Sequence, residues 1–114
     1  SKRSNIFMDL SVVVPVFNEQ ENLKPLIDEI HAALDDRLDF EIIYVNDGST
    51  DETLGILNTL REQDERLRVL SHTVSYGQST AVRTGVKAAR APWIATLDGD
   101  GQNDPEDIMS LYAL

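Results

Sequence analysis

Cysteine is absent from the 114 residues. Disulfides, thiolate nucleophiles and zinc–thiolate sites are thereby excluded, and the chain fits a reducing compartment. No apolar run approaches the ~20 residues of a membrane span. The longest, around Leu10 to Phe17, is interrupted by Ser11 and Pro15. Basic residues are few: ten Lys and Arg stand against 20 Asp and Glu, for a net charge of −10. That balance leaves no basic stripe for nucleic acid and on average repels an anionic membrane surface. It suits a site that recruits a divalent cation before it accepts an anionic substrate, although acidic surfaces also serve solubility alone. Repeats and low-complexity segments are missing. No G-x-x-x-x-G-K-[ST] run occurs, which removes P-loop chemistry. Gly99 and Gly101 supply a G-x-G, but Asp104 stands where the dinucleotide fingerprint needs its third glycine. The two histidines, His31 and His72, have no partner visible in the sequence and read as ordinary residues, so no Ser-His-Asp order follows from them.

What is present is an ordinary globular balance, 41% hydrophobic and 26% charged, in a length that supports one core. Strand and helix patterns alternate. Residues 10–16 (LSVVVPV) form a β-branched run of strand length. Leu23, Leu26, Ile27, Ile30 and Leu34 recur at helical steps, and Pro25 fits only a first turn, which places the helix start near Asn22. Residues 40–45 (FEIIYV) read as a second strand. Ser49 and Glu52 have the spacing of a capping box for the next helix, with Leu54, Leu57 and Leu60 as its apolar stripe. A third strand is expected over 67–70. A helix follows over 78–90, with Val82 and Val86 on one face. Pro92 ends it, and residues 93–97 (WIATL) form a fourth strand. Asp104-Pro105 announces a last helix, with Glu106 and Asp107 near its positive end. Residues 1–8 read as a loose leader and 9–114 as one α/β unit: a parallel sheet with helices on both faces.

In such sheets ligands sit outside the carboxyl ends of the strands. Asp98-Gly99-Asp100 leaves an apolar strand there. Carboxylates one residue apart can converge on one ion if the chain turns, and hard oxygen donors suit Mg²⁺ or Mn²⁺. The bland alternative is an acidic glycine turn. An EF-hand does not fit, since Asn103 stands where its loop needs glycine and Met109 where it needs glutamate. Asn46-Asp47-Gly48-Ser49 ends the second strand. Gly48 makes a turn there, while Asp47 has no evident structural task and can accept hydrogen bonds from a base or ribose. Pro15-Val16-Phe17-Asn18-Glu19 ends the first strand, and Phe17 suits either the core or a nucleobase. Tyr76-Gly77-Gln78 opens the third helix, where free N–H groups suit a phosphate or an ordinary cap.

Taken in order, VVVPVFNEQENL, YVNDGSTDETL, GQSTAVRTG and TLDGDGQNDPEDI resemble the motif set of family 2 glycosyltransferases. The resemblance covers residues from about 10 to 114 and is strongest to the polyprenyl-phosphate sugar synthases, the group that includes dolichyl-phosphate mannose synthase. It implies the Rossmann-like nucleotide-sugar-binding half of a GT-A fold. It further implies that Pro15, Phe17, Glu19, Val45 and Asp47 hold the nucleotide. Asp98 would lie by the ribose or sugar, and Asp100 and Gln102 would bind Mg²⁺ or Mn²⁺, with Asp98 and Asp100 as the catalytic pair. Asn46 departs from the usual second aspartate, and Phe17 replaces a common tyrosine.

The implied reaction is inverting transfer from a UDP- or GDP-linked sugar to a polyprenyl (dolichyl or undecaprenyl) phosphate, at the cytoplasmic face of a membrane. The alternatives are a polysaccharide or other glycan acceptor, or a nucleotide-binding module without chemistry. A response-regulator receiver is not supported, since it requires an acid pair after the first strand and a late lysine. Family catalytic domains extend beyond this length. The chain alone is therefore expected to bind donor and metal but to be inactive, and its uncovered edge favours self-association.

Overall fold

The computed structural model describes residues 8–100. The leader expected over 1–8 (Met8 apart), Gly101, Gln102 and the last helix expected from Asp104 lie outside the described residues. The elements are β1 (Leu10–Val16), α1 (Leu23–Leu34), β2 (Phe40–Asp47), α2 (Thr53–Gln63), β3 (Leu67–His72), α3 (Gln78–Ala88) and β4 (Trp93–Thr96). All strand pairings are parallel and the sheet order is β3-β2-β1-β4. The apolar β-branched runs thus become the two central strands, β1 and β2, in which every residue is buried. β2 runs two residues past the expected end, and so does β3.

Alternation along the strands divides the core in two. Val12 and Val14 of β1 and Phe40, Ile42 and Tyr44 of β2 pack with Leu23, Leu26, Ile30 and Leu34 of α1 and Leu57 of α2. Val13, Ile43 and Val45 face the other way, against Ala81 of α3. Helices therefore cover both faces, as the α/β rhythm implied. α1 begins after Asn22 and accommodates Pro25 in its first turn, where a missing N–H leaves no helical bond unmade. His31 holds the far end of this layer. Its Nδ1 lies 2.7 Å from Asp35 Oδ1 and its Nε2 2.7 Å from Asp64 Oδ2, just beyond α2.

Two details differ from the sequence pattern. The capping box does not form. Ser49 Oγ accepts the backbone N–H of Asn18 instead, and α2 starts four residues later, with Asp51 Oδ1 accepting both the N–H and the hydroxyl of Thr53. The buried face of α3 carries Ala81 and Gly85 rather than Val82 and Val86, and Val86 is 39% exposed. Small residues win because the helix lies directly on the sheet: a Cβ on Gly85 would stand 2.4 Å from Val13 Cγ1.

With so little apolar bulk beneath it, α3 is fixed by polar contacts. At its C-terminal end, Glu41 of β2 is 1% exposed. Its carboxylate accepts bonds from Ser11 Oγ, Arg68 Nη1 and the Arg90 N–H. Arg68 also donates to the carbonyl of Ala88, and Ser11 Oγ accepts the Ala91 N–H. Burial raises the carboxyl's pKa, but these donors outweigh it, and Glu41 titrates below its ordinary value.

Two outcomes follow. The Tyr44 hydroxyl is buried and has no partner among the described residues, so Tyr44→Phe should be neutral or stabilising by about 1 kcal/mol. Gly85→Ala should destabilise by roughly 1–3 kcal/mol through overpacking against Val13. Urea unfolding of the two variants checks both signs.

Candidate functional site

The carboxyl ends of β1, β2 and β4 surround a cleft of about 260 Å³. Pro15, Val16, Phe17 and Glu19 line it from the end of β1, and Asp47 from the end of β2. Gln78 and Ala81 come from α3, and Asp98, Gly99 and Asp100 follow β4. The cleft opens between β1 and β4, where the strand order reverses after β3 and the crossover helix changes face. At such a point adjacent loops diverge and leave room for a ligand.

Each wall has a local cause. Pro15 sits in a central strand without leaving a bond unmade. Val13, two residues earlier on the same side, accepts the Leu97 N–H from the β4 segment. Ladder pairing with β4 stops at Val13, so the missing N–H of Pro15 has no partner to lose. Asn18 takes a left-handed conformation (φ 54°), which asparagine tolerates. Its Oδ1 accepts the N–H groups of Thr50 and Asp51, and its own N–H donates to Ser49 Oγ. The Glu19 N–H donates to Thr53 Oγ1, and Glu19 Oε1 accepts Asn22 Nδ2. The first two loops are thus cross-braced. Phe17 stays 47% exposed beside them, an apolar face presented at the cleft.

Gly99 presses the third loop against β1. A Cβ there would lie 2.3 Å from Val16 Cγ1 and 2.7 Å from the Pro15 carbonyl. Only glycine allows this approach, and it brings Asp98 and Asp100 to the cleft on either side. Gln78 Nε2 donates to Asp98 Oδ1 at 3.3 Å. Among the described residues no group of three His, Cys, Asp or Glu side chains is arranged to hold a metal. The described share of any metal site is therefore at most the Asp98–Asp100 pair, a donor set that suits a cation completed by phosphate oxygens and water. Gln102 lies outside the described residues.

Asp47 has a structural task that the sequence did not reveal. Oδ1 accepts from His72 Nδ1 and the Tyr76 N–H, and Oδ2 from Ser75 Oγ and the Gly77 N–H, all at 2.8–2.9 Å. Burial raises its pKa, but the donors outweigh that effect and hold the carboxyl at about 2. Gly48, at φ 70°, makes the turn that lets the 73–77 loop close over it; a Cβ there would meet Ser75 N at 2.4 Å. His72, read from sequence as ordinary, is part of this assembly, and Thr84 Oγ1 lies 2.9 Å from its Nε2. No local spacing signals these contacts, because the partners of Asp47 lie 25 to 30 residues away.

The structure thus gathers Pro15, Phe17, Glu19, Asp47, Asp98 and Asp100 into one cleft. Val45 is not among its walls. Its side chain is completely buried under α3, packed with Val13, Ile43 and Ala81.

A family model described as glycosyl transferase family 2 matches residues 11–114. The chain is 41% identical over 108 residues to the dodecaprenyl-phosphate galacturonate synthase of Rhizobium johnstonii, covering 93% of the chain and 32% of that protein. The chain therefore spans about a third of that relative's length. Among solved structures, TarS 1–349 of S. aureus in complex with UDP-GlcNAc superposes with a TM-score of 0.75 at 26% identity, over 93% of the chain and 30% of TarS 1–349. The mannosyltransferase PcManGT of Pyrobaculum calidifontis, in complex with GDP-Man and Mn²⁺, gives 0.75 at 22%, over 94% and 32%. The expected GT-A α/β architecture is the one observed.

The Asp47 assembly predicts an acid limb in stability. Its folded pKa is depressed, so its contribution is complete above the ordinary value of 3.8 and is lost as pH falls from there toward about 2. Asp47→Asn should be less stable at neutral pH and lose less between pH 4 and pH 2. Denaturant midpoints across that window measure the difference.

Proposed function

We propose that this chain, which belongs to glycosyl transferase family 2, binds a nucleoside-diphosphate sugar in the cleft at the carboxyl ends of β1, β2 and β4. The observation that carries this reading is the convergence of four separate loops on one cleft, with an exposed aromatic face on one wall and a carboxylate pair on another. Phe17 offers a stacking surface for the base, and Glu19 and Asp47 offer acceptors for base or ribose donors. A ligand that engages Asp47 directly must take the place of one of its four present donors.

Asp100, with Gln102, would hold Mg²⁺ or Mn²⁺, beside Asp98 at the ribose or sugar. A bound divalent cation supplies neutralisation of the charge that develops on the departing diphosphate. The chain's own residues hold the donor against β1 with its sugar-bearing end beside Asp98. The acceptor oxygen bonds to the anomeric carbon on the face opposite the diphosphate while the bond from that carbon to the diphosphate oxygen breaks, which gives inversion.

For the whole protein we propose a polyprenyl phosphate acceptor, supported by the name of the Rhizobium relative. Such an acceptor is already ionised at neutral pH, so the chemistry asks little of a general base. With such an acceptor, we propose that the whole protein works at the cytoplasmic face of a membrane. No helix among the described residues is long and apolar enough to cross one.

Calorimetric titration with UDP and with GDP, each with and without Mn²⁺, tests the proposal. One nucleotide should bind in a Mn²⁺-dependent manner, and Asp100→Ala should abolish that dependence. Binding of neither, or binding indifferent to both Mn²⁺ and Asp100, overturns it.

A further inference from the structure

His72 lies behind the cleft wall rather than in it, and its ring is committed on both sides. Nδ1 is 2.8 Å from Asp47 Oδ1 at the end of β2, and Nε2 is 2.9 Å from Thr84 Oγ1 on α3. The Tyr76 ring meets the imidazole edge-on, with centroids 5.3 Å apart. Among these described neighbours Asp47 is the charged group. The His72 and Asp47 side chains are 14% and 6% exposed, so neither bond is readily exchanged for water.

Asp47 is ionised and can only accept, so Nδ1 donates. Nε2 meets Thr84 Oγ1, whose hydroxyl can turn to the ring nitrogen or to the carbonyl of Thr80, 3.1 Å away and one turn earlier. The ring therefore joins the end of β2 to α3 through two hydrogen bonds.

We propose that His72 is a positioning residue of the donor site, and that its ring ties Asp47 to α3 and so sets the wall of the cleft formed by Asp47, Gln78 and Ala81. The inference rests on the donor-site reading above, because it assigns His72 a role in that site. His72 touches neither nucleotide nor sugar in this scheme and acts only through Asp47.

The test follows the ring and the ligand in the same samples. Long-range ¹H–¹⁵N spectra report the protonation of each imidazole nitrogen, and His31→Gln and His72→Gln each assign the two histidines independently. The affinity for UDP or GDP with Mn²⁺ is then measured for the parent, His72→Phe, His72→Gln and His31→Gln, beside their urea midpoints. Nucleotide should move the His72 ring signals and leave those of His31 in place. His72→Phe should weaken binding on the order of tenfold, the scale of one hydrogen bond to a charged group, and His72→Gln, whose amide can still donate to Asp47, should recover part of that loss. His31→Gln should bind as the parent does. Ring signals indifferent to nucleotide, or His72→Phe binding as the parent does, overturns the positioning role while leaving the donor site standing. Failure of the parent protein to bind either nucleotide overturns both.

Discussion

The crossover helix α3 depends on two ionised carboxylates of β2, and the cleft depends on α3. Glu41 and Asp47 are six residues apart on one strand, so both face the α3 side of the sheet. Asp47 receives the backbone N–H groups that lead into the helix at Tyr76 and Gly77, where a negative charge complements the helix dipole. Glu41 receives the N–H that follows the helix at Arg90, and Arg68 bridges that carboxylate to the Ala88 carbonyl. Arg68 thus offsets the unfavourable meeting of an anion with the negative end of a helix. Between these two anchors the helix meets the sheet through Ala81 and Gly85, which give close approach but bury little apolar area. Polar anchoring therefore substitutes for the apolar bulk that holds α1.

The same strand end serves structure and site at once. The loop that Asp47 gathers, 73–77, runs into Gln78 and Ala81, which line the cleft. On the other side the Asn18 brace joins the first loop to the second, and Gly99 seats the third against β1. Each loop is held by contacts to another loop or strand end as well as within itself. Such cross-bracing fixes a binding cleft before a ligand arrives, which lowers the ordering cost of binding.

Much of this was legible in the sequence, for a definite reason. Runs such as VVVPV and FEIIYV are apolar on both faces, and that pattern belongs to central parallel strands. The strand–helix rhythm then places every loop that follows a strand at one edge, which is why Pro15, Phe17, Glu19, Asp47, Asp98 and Asp100 could be grouped without coordinates. The failures all involve partners far away in the chain. Ser49 had the spacing of a cap, but Asn18, 31 residues earlier, took its hydroxyl. Val82 and Val86 fit a helical stripe, but the proximity of Val13 demanded Ala81 and Gly85. His72 looked idle because Asp47 and Thr84 meet it only after the sheet has formed.

The division of the core into two chemically different layers has a consequence for how the molecule comes apart. The layer beneath α1 and α2 is held mainly by Leu, Ile, Val and Phe side chains, whose burial is indifferent to acid, with the carboxylates of Asp35 and Asp64 engaged only at its far end, on His31. The layer beneath α3 is held by carboxylates that lose their bonds when protonated. Local opening in acid therefore begins on the α3 side and spares the other. The cleft, whose walls run through the 73–77 loop and α3, is therefore the acid-sensitive part of the fold.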